Sequence, residues 1–432
     1  MRILFTTFAA ESHLHTQVSM AWALQTAGHE VRLASQPDLV DAITAAGLTA
    51  VPVGEPLGLA DRVQEINDNI EQAEVTDAGS AGDAGLDMNE LRPEKLTWEY
   101  MSKVFGTMTP VVFRNASPDS TVDDLVAFAR AWGPDLVVWD PFTFAGPVAA
   151  KACGAAHARV IAGLDLFGHM RRRFTAARDE RPAGQDADPL RDWLQECLAR
   201  HGAAFDEDVP LGQWTIDPTP ASMRLPVDLH YVPVRHVPYN GPAVVPGWLR
   251  EPPRRRRICL TFGLSYRQMW GAETSLDDVL GAVADLDVEV VATLNAEQQK
   301  SLGELPENVR VEEFVPFGAL LPTCSAVIHH GSQGAFGIAL SHAIPQLIVP
   351  EGQWDTALKA QAVEAAGAGL RLPPMREFSA DALRGSLARL LDEPSFAESA
   401  RKLRRETLAM PAPNDVVPQL EALTAEFRAA GA

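Results

Sequence analysis

Ser325-Ala-Val-Ile-His-His-Gly-Ser-Gln-Gly-Ala-Phe-Gly-Ile-Ala-Leu340 reads as a buried strand, two histidines at its carboxyl end, and a turn of small residues that opens a helix. The apolar run is short and unbroken, as expected of a parallel strand covered on both faces. The same rhythm recurs on either side. Downstream, the helix runs through position 343 into a strand over 346–349. Upstream lie strands over 258–262, 288–293 and 309–314, with a helix over 275–284 between the first two. Strands alternating with helices predict a parallel, doubly wound sheet.

The first half of the chain repeats the pattern. Residues 2–8 form a short apolar strand, 16–27 carry helical spacing, Gly28-His29 stops the helix, and 30–35 read as a second strand. A helix over 37–46, a Gly47 cap and a strand over 48–53 follow. Residues 55–95 lose the rhythm and are rich in Asp, Gly and Ala, which suits a mobile loop over a ligand site. A helix over 122–132, the strand Asp135-Leu-Val-Val-Trp139, a helix over 146–152 and a strand over 158–162 restore it. Residues 168–215, with Arg171-Arg172-Arg173, read as amphipathic helix. Val237-Pro-Tyr-Asn-Gly-Pro242, continuing to Pro252-Pro253, breaks the chain. The expected domains are therefore 1–236, a linker over 237–257, and 258–432, with the last helix free to pack back onto the first domain.

Bulk properties narrow the function. At 432 residues the chain exceeds one ordinary core. With 46% hydrophobic and 22% charged residues it is globular rather than disordered. A net charge of −20 repels phosphate backbones, so no nucleic-acid partner is expected. Cys153, Cys197, Cys259 and Cys324 are scattered, which fits neither a zinc knuckle nor a disulfide framework but does fit a reducing cytoplasm. The opening Met-Arg-Ile-Leu-Phe lacks the pattern of a signal peptide, and no run of about 18 apolar residues predicts a membrane span.

The turn after the strand at 326–330 carries chemistry. Small residues let backbone N–H groups approach an anion, and the dipole of the following helix favours negative charge there. His330 is placed to add a hydrogen bond to a phosphate oxygen. The turn is not a P-loop, because no Gly-Lys-Ser/Thr follows. A tight structural turn with a buried histidine is the competing interpretation. Gly263-Leu264-Ser265 and Trp354-Asp355-Thr356 end other strands at the same sheet edge, where ligands of open α/β sheets bind. No metal is expected: the remaining histidines are scattered and no Asp-x-Asp falls in a cleft turn. The charge of a bound phosphate would then be neutralised by the helix N-terminus and His330. The run Arg254-Arg-Arg-Arg257 reads as a solvated linker face.

In the first domain, Glu11-Ser-His-Leu-His15 occupies the first strand-to-helix turn. Histidine there suits general-base work, since its ordinary pKa lies near neutrality. A solvent-exposed helix end or a buried structural histidine would leave the same trace. Asp140, after a buried strand, is one candidate to orient an imidazole, and a structural cap is the other.

Phe314-Val-Pro316, Leu320-Leu-Pro322, His329-His-Gly331, Pro345-Gln346 and Gly367-Ala-Gly369, in that order, resemble the signature of nucleotide-sugar glycosyltransferases. More narrowly, the chain resembles the bacterial natural-product glycosyltransferases that decorate macrolides and anthracyclines. The likeness covers nearly the whole chain, including residues 23–35, Trp139-Asp-Pro-Phe-Thr-Phe144 and the linker, and comes nearest to the aminodeoxysugar branch.

The resemblance implies a GT-B fold, two doubly wound Rossmann-like domains facing a central cleft. It implies an inverting transfer of a deoxysugar, of the aminodeoxysugar kind, from a dTDP-sugar to a hydroxyl of a polyketide aglycone. His13 takes the position of the base, with Glu11 and His15 as alternatives. The diphosphate falls to His330, Gly331, Ser332, Gln333, Gly334, Ala335 and Ser265. The nucleobase falls to Phe314, Val315 and Pro316, and the sugar to Trp354, Asp355 and Thr356. No cofactor or metal is implied. A helper protein is, and a homodimer is compatible with it.

Two departures stand out. The family's usual His-Gly-Gly-Ala/Ser-Gly-Thr is His330-Gly-Ser-Gln-Gly-Ala335, and its Asp-Gln with a later Asn is Asp355-Thr356 with Lys359. These leave open a donor-site-degenerate partner protein. A nucleotide-sugar epimerase shares the fold but needs no aglycone pocket. A dinucleotide oxidoreductase is disfavoured, because no G-x-G-x-x-G follows the first strand.

Overall fold

The computed structural model describes residues 1–59, 88–261, 276–284, 286–300, 302–350, 354–374 and 379–431. The chain divides into two units, one made of Met1–Gly241 with Pro411–Ala432 and the other of Pro242–Met410. Most of the loop expected over 55–95 and the turn holding Ser265 lie outside the described residues.

The first unit is built on seven parallel strands in the order β3-β2-β1-β4-β5-β6-β7. They are β1 (Arg2–Thr6), β2 (Glu30–Ser35), β3 (Ala50–Pro52), β4 (Leu136–Trp139), β5 (Ala156–Val160), β6 (Trp214–Asp217) and β7 (Tyr231–Pro233). Every residue of β4, Leu-Val-Val-Trp, is buried, as a central parallel strand with helices on both faces demands. The helix Glu11–Thr26 packs Leu14, Val18 and Ala21 into the core beside Ile3 and Phe5. The last helix, Pro413–Gly431, adds Val416, Val417, Leu420 and Leu423 to that same core.

Strand order reverses at β1: the chain winds from β1 through β2 to β3 on one side and places β4 on the other. In an open α/β sheet, ligands bind beyond the strand ends at such a switch point. Thr6 pairs with Trp139 in the register of β1 and β4, and the Asp140 N–H donates to the Thr6 carbonyl at 3.0 Å. Gly146 lets the helix Ala145–Cys153 press on this edge. A Cβ there would fall 2.6 Å from both Thr6 Oγ1 and Trp139 Cβ.

The second unit repeats the plan with six parallel strands ordered β10-β9-β8-β11-β12-β13. They are β8 (Arg256–Thr261), β9 (Val288–Thr293), β10 (Val309–Glu312), β11 (Cys324–His329), β12 (Gln346–Ile348) and β13 (Gly369–Arg371). Its switch point lies between β8 and β11, where Thr261 pairs with His329. One apolar cluster includes Leu260, Ile328, Leu347 and Leu387, and another includes Cys259, Val327, Leu321 and Ile338, so alternate residues of the strands feed the two clusters.

Two local expectations are corrected. Residues 168–215 are helical as read only as far as Leu211, in the helices Leu166–Asp179, Pro189–Arg200 and Asp208–Leu211; Trp214 and Thr215 open β6, whose four residues are all buried. The Arg254–Arg257 run is not wholly solvated either. Arg257 lies in β8, is only 2% exposed, and pairs with Glu289, its register partner in β9, at 3.0 Å while its guanidinium lies over the Trp248 ring. The strand pulls its cation inward because an acid waits opposite it.

Candidate active site

Each unit carries a polar constellation at its switch point. In the first, the loop between β1 and the helix Glu11–Thr26 is pinned from below by Gln36. That fully buried amide accepts the Ala9 N–H at 2.9 Å and donates to the Ala116 carbonyl at 3.1 Å. The loop delivers His13 to the first helical turn. Its Nδ1 meets Asp140 Oδ2 at 2.6 Å. The other carboxylate oxygen accepts the Phe142 N–H at 3.0 Å. With both oxygens of Asp140 accepting, the imidazole proton belongs on Nδ1, which leaves Nε2 as the nitrogen able to take another.

The rings of Phe8 and Phe142 stand 4.6 and 5.6 Å from that of His13. Asp140 is 1% exposed, whereas the His13 side chain keeps 23% of its surface. The dyad is therefore anchored inside and open at its reactive end. Glu11 is exposed at the start of the helix. His15 packs edge-on against Tyr239 at 5.2 Å, and burial pushes it down to about 4. Of the three candidates, His13 is the one seated on Asp140.

In the second unit, β11 ends in His329 and His330 follows it. His329 is fully buried; its Nε2 lies 2.9 Å from Gln346 Oε1, and its Nδ1 accepts the Gly331 N–H at 3.1 Å. A neutral ring that donates at Nε2 and accepts at Nδ1 satisfies both bonds. Burial pushes it down to about 4, against the Gln346 bond, and the Lys359 charge acts in the same direction as burial. Burial also pushes His330 to about 3, reinforced by His329 and Lys359. Both rings are therefore uncharged at neutral pH. In the ligand-free chain His330 therefore offers a hydrogen bond rather than a cation.

Gly331 takes φ +101°, and a Cβ there would come within 3.0 Å of Thr356 Cβ. Its N–H is held by His329, so its part in the turn is conformational. The helix Gln333–His342 follows, with the Ser332 carbonyl accepting the Phe336 N–H at 2.9 Å and no side chain capping its N-terminus. The N–H groups of Gln333, Gly334 and Ala335 thus precede the first intrahelical bond. Nothing lies within 4 Å of where a Gly334 Cβ would stand, and the Gln333 Oε1 is buried with no hydrogen bond among the described residues.

The segment Trp354-Asp355-Thr356 abuts this turn through Thr356 and opens the helix Thr356–Ala365. Trp354 adopts φ +48°, and Asp355 Oδ2 pairs with Lys359 Nζ at 2.9 Å. Phe314 is 44% exposed, Pro316 caps the short helix Phe317–Leu320, and Val315 is a core residue beside Leu320 and Ile338. Val315 can therefore offer a ligand only its backbone. Sequence reasoning does not assign Gln36 or Lys359 to a site. Lys359 carries a signal even so, the i, i+4 spacing from Asp355. Among the described residues no group of three or more His, Cys, Asp or Glu is placed to hold a metal ion. Nor is any helix among them long and apolar enough to cross a membrane.

Two doubly wound units, one bearing a histidine–carboxylate pair and the other an open helix N-terminus beside a small-residue turn, define a group-transfer enzyme of the nucleotide-binding α/β class. The chain belongs to the erythromycin biosynthesis protein CIII-like family, whose N-terminal domain matches residues 22–263 and whose C-terminal domain matches residues 277–423. It is 56% identical to the aclacinomycin-T 2-deoxy-L-fucose transferase of Streptomyces galilaeus, over 99% of this chain and 97% of the relative. It is 47% identical to the 10-deoxymethynolide desosaminyltransferase of Streptomyces venezuelae, over 99% and 98%. The crystal structure of the glycosyltransferase VinC in complex with dTDP superposes with a TM-score of 0.88 at 43% identity, covering 99% of this chain and all of that one. The fold is GT-B and the chain is a glycosyltransferase. Full-length likeness to named transferases does not favour a degenerate partner protein or an epimerase.

Proposed function

We propose that this glycosyltransferase moves a deoxysugar from a dTDP-sugar onto a hydroxyl of a polyketide aglycone, inverting the anomeric carbon in a single displacement. The observation that carries the mechanism is the His13–Asp140 pair at the first unit's switch point. His13 Nε2 takes the proton of the acceptor hydroxyl as its oxygen bonds to the anomeric carbon. The bond from that carbon to the phosphate oxygen breaks, and dTDP leaves with the electron pair. Asp140 holds the ring in the reactive tautomer and stabilises the imidazolium that forms.

In the second unit, the N–H groups of Gln333, Gly334 and Ala335 and the neutral His330 receive the diphosphate, and the helix dipole favours its charge. The open space at Gly334 supports this reading. Phe314 offers an exposed face to the base, and Asp355 an acceptor to sugar hydroxyls. The desosaminyltransferase relative favours an aminodeoxysugar donor, whereas the 2-deoxy-L-fucose transferase relative favours a neutral one. No metal takes part, so turnover persists in excess chelator. A helper protein raises turnover, and full activity of the purified chain alone would remove that part of the proposal.

The decisive experiment incubates the protein with a panel of dTDP-deoxysugars and anthracycline or macrolide aglycones, follows glycoside by mass spectrometry, and titrates dTDP by calorimetry. Saturable dTDP binding with glycoside formation that His13→Ala abolishes is expected. No dTDP binding would overturn the donor assignment.

A further inference from the structure

Lys359 is a charged amine only 3% exposed, in the first full turn of the helix that starts beside the donor turn. Burying an ammonium costs several kcal/mol unless it is compensated. Its compensation comes from Asp355 Oδ2 at 2.9 Å and from the face of Phe336, whose ring centroid lies 5.4 Å from Nζ. Phe336 belongs to the helix that opens at Gln333, and Thr356, three residues before Lys359, packs on Gly331. The ammonium is therefore lodged between the two helix starts that frame the turn. Its field reaches both histidines, acting on each against protonation.

A diphosphate must be neutralised, and the 330–335 turn itself carries no lysine or arginine. We propose that Lys359 is a positioning residue of the donor half-site, supplying a positive charge beside the 330–335 turn and holding the Asp355 carboxylate in place as an acceptor for the sugar. The inference rests on the donor reading above. It gives the Asp355–Lys359 pair a division of labour: the cation serves the diphosphate and the anion serves the sugar.

The test compares calorimetric affinities for dTDP and for uncharged thymidine in the wild type, Lys359→Met, Lys359→Arg and Asp355→Asn. Lys359→Met is expected to weaken dTDP by about tenfold or more and to leave thymidine unchanged, because a charge has gone and the base contacts have not. Lys359→Arg keeps the charge and restores dTDP to within about threefold of wild type. Asp355→Asn removes a negative charge near the diphosphate, so it binds dTDP as tightly as wild type or tighter, while its KM for the dTDP-sugar rises. Equal weakening of dTDP by Asp355→Asn and Lys359→Met, or weakened thymidine, would show a structural pair and overturn the inference. If Lys359→Met does not fold, as read by thermal melting, the Arg and Asn variants still decide through the sign of their effects. Wild-type protein that binds no dTDP would remove the donor reading and this inference with it. Wild-type binding unaffected by Lys359→Met would remove only this inference.

Discussion

Replacing Asp140 by Asn keeps the shape of the first half-site and reverses its proton logic. The carbonyl oxygen of the introduced amide would still accept the Phe142 N–H, which leaves its NH2 group facing His13 Nδ1 across the former 2.6 Å contact. Nδ1 must then accept, the imidazole proton moves to Nε2, and the nitrogen that should take the acceptor proton already carries one. A hydrogen bond to a charged group contributes about 1.5–3 kcal/mol. At about 1.36 kcal/mol per decade, restoring the reactive tautomer costs about 10- to 150-fold in kcat. Loss of imidazolium stabilisation adds to this, up to the roughly 10⁴-fold span of general-base catalysis. The assay is initial-rate glycosylation at saturating donor, with dTDP affinity measured in parallel. Affinity should be unchanged, since every group assigned to the diphosphate lies in the other unit. Combining Asp140→Asn with His13→Ala should cost little beyond His13→Ala alone, because the two act as one device. A kcat within about threefold of wild type, with dTDP binding intact, would refute the dyad and return the base to Glu11 or His15.

Gly331→Ala forces a side chain onto φ +101° and within 3.0 Å of Thr356 Cβ, so it should destabilise the second unit by about 1–3 kcal/mol and weaken dTDP binding. A melting curve superposable on wild type would show the turn to be less constrained. Acid should destabilise the protein partly through His329. Its folded pKa of about 4 lies below the ordinary 6.5, so between those values the unfolded chain binds more protons. Stability fully present above about pH 6.5 is therefore lost as pH falls toward 4, by about 2 kcal/mol at pH 5 from this residue. Urea midpoints at about pH 7 and pH 5 should differ less in His329→Gln than in wild type, and equal differences would count against the assignment.

The alternation of apolar runs and helical spacing is enough to read both doubly wound sheets, and the Gly-bearing turn after β11 announces an anion site. The base can be narrowed to Glu11, His13 or His15 but not oriented, because Asp140 lies 127 residues from His13 and reaches it only because β4 pairs with β1. Strand order is a tertiary choice that local periodicity does not encode. For the same reason Arg257 reads as solvated: its partner Glu289 becomes visible only once β8 and β9 are in register. β6 and β7 are separated only by the three-residue helix Ala221–Met223, so the strand–helix alternation that reveals the equally short β3 and β4 is missing there. Lys359 shows in the sequence as a departure from a motif and as the i, i+4 neighbour of Asp355, and its value emerges when burial and Phe336 give it a place.

The helix Pro413–Gly431 completes the core of the first unit even though it is made after the whole of the second. The first unit therefore cannot close its core until the second has been synthesised. Until residues beyond 411 emerge, the face of the Glu11–Thr26 helix that carries Leu14 and Val18 lacks Val416, Val417 and Leu420. The second unit, whose segments are contiguous, faces no such wait. A nascent chain halted after Met410 would thus expose apolar surface in its oldest half, making that half the natural client of chaperones during synthesis.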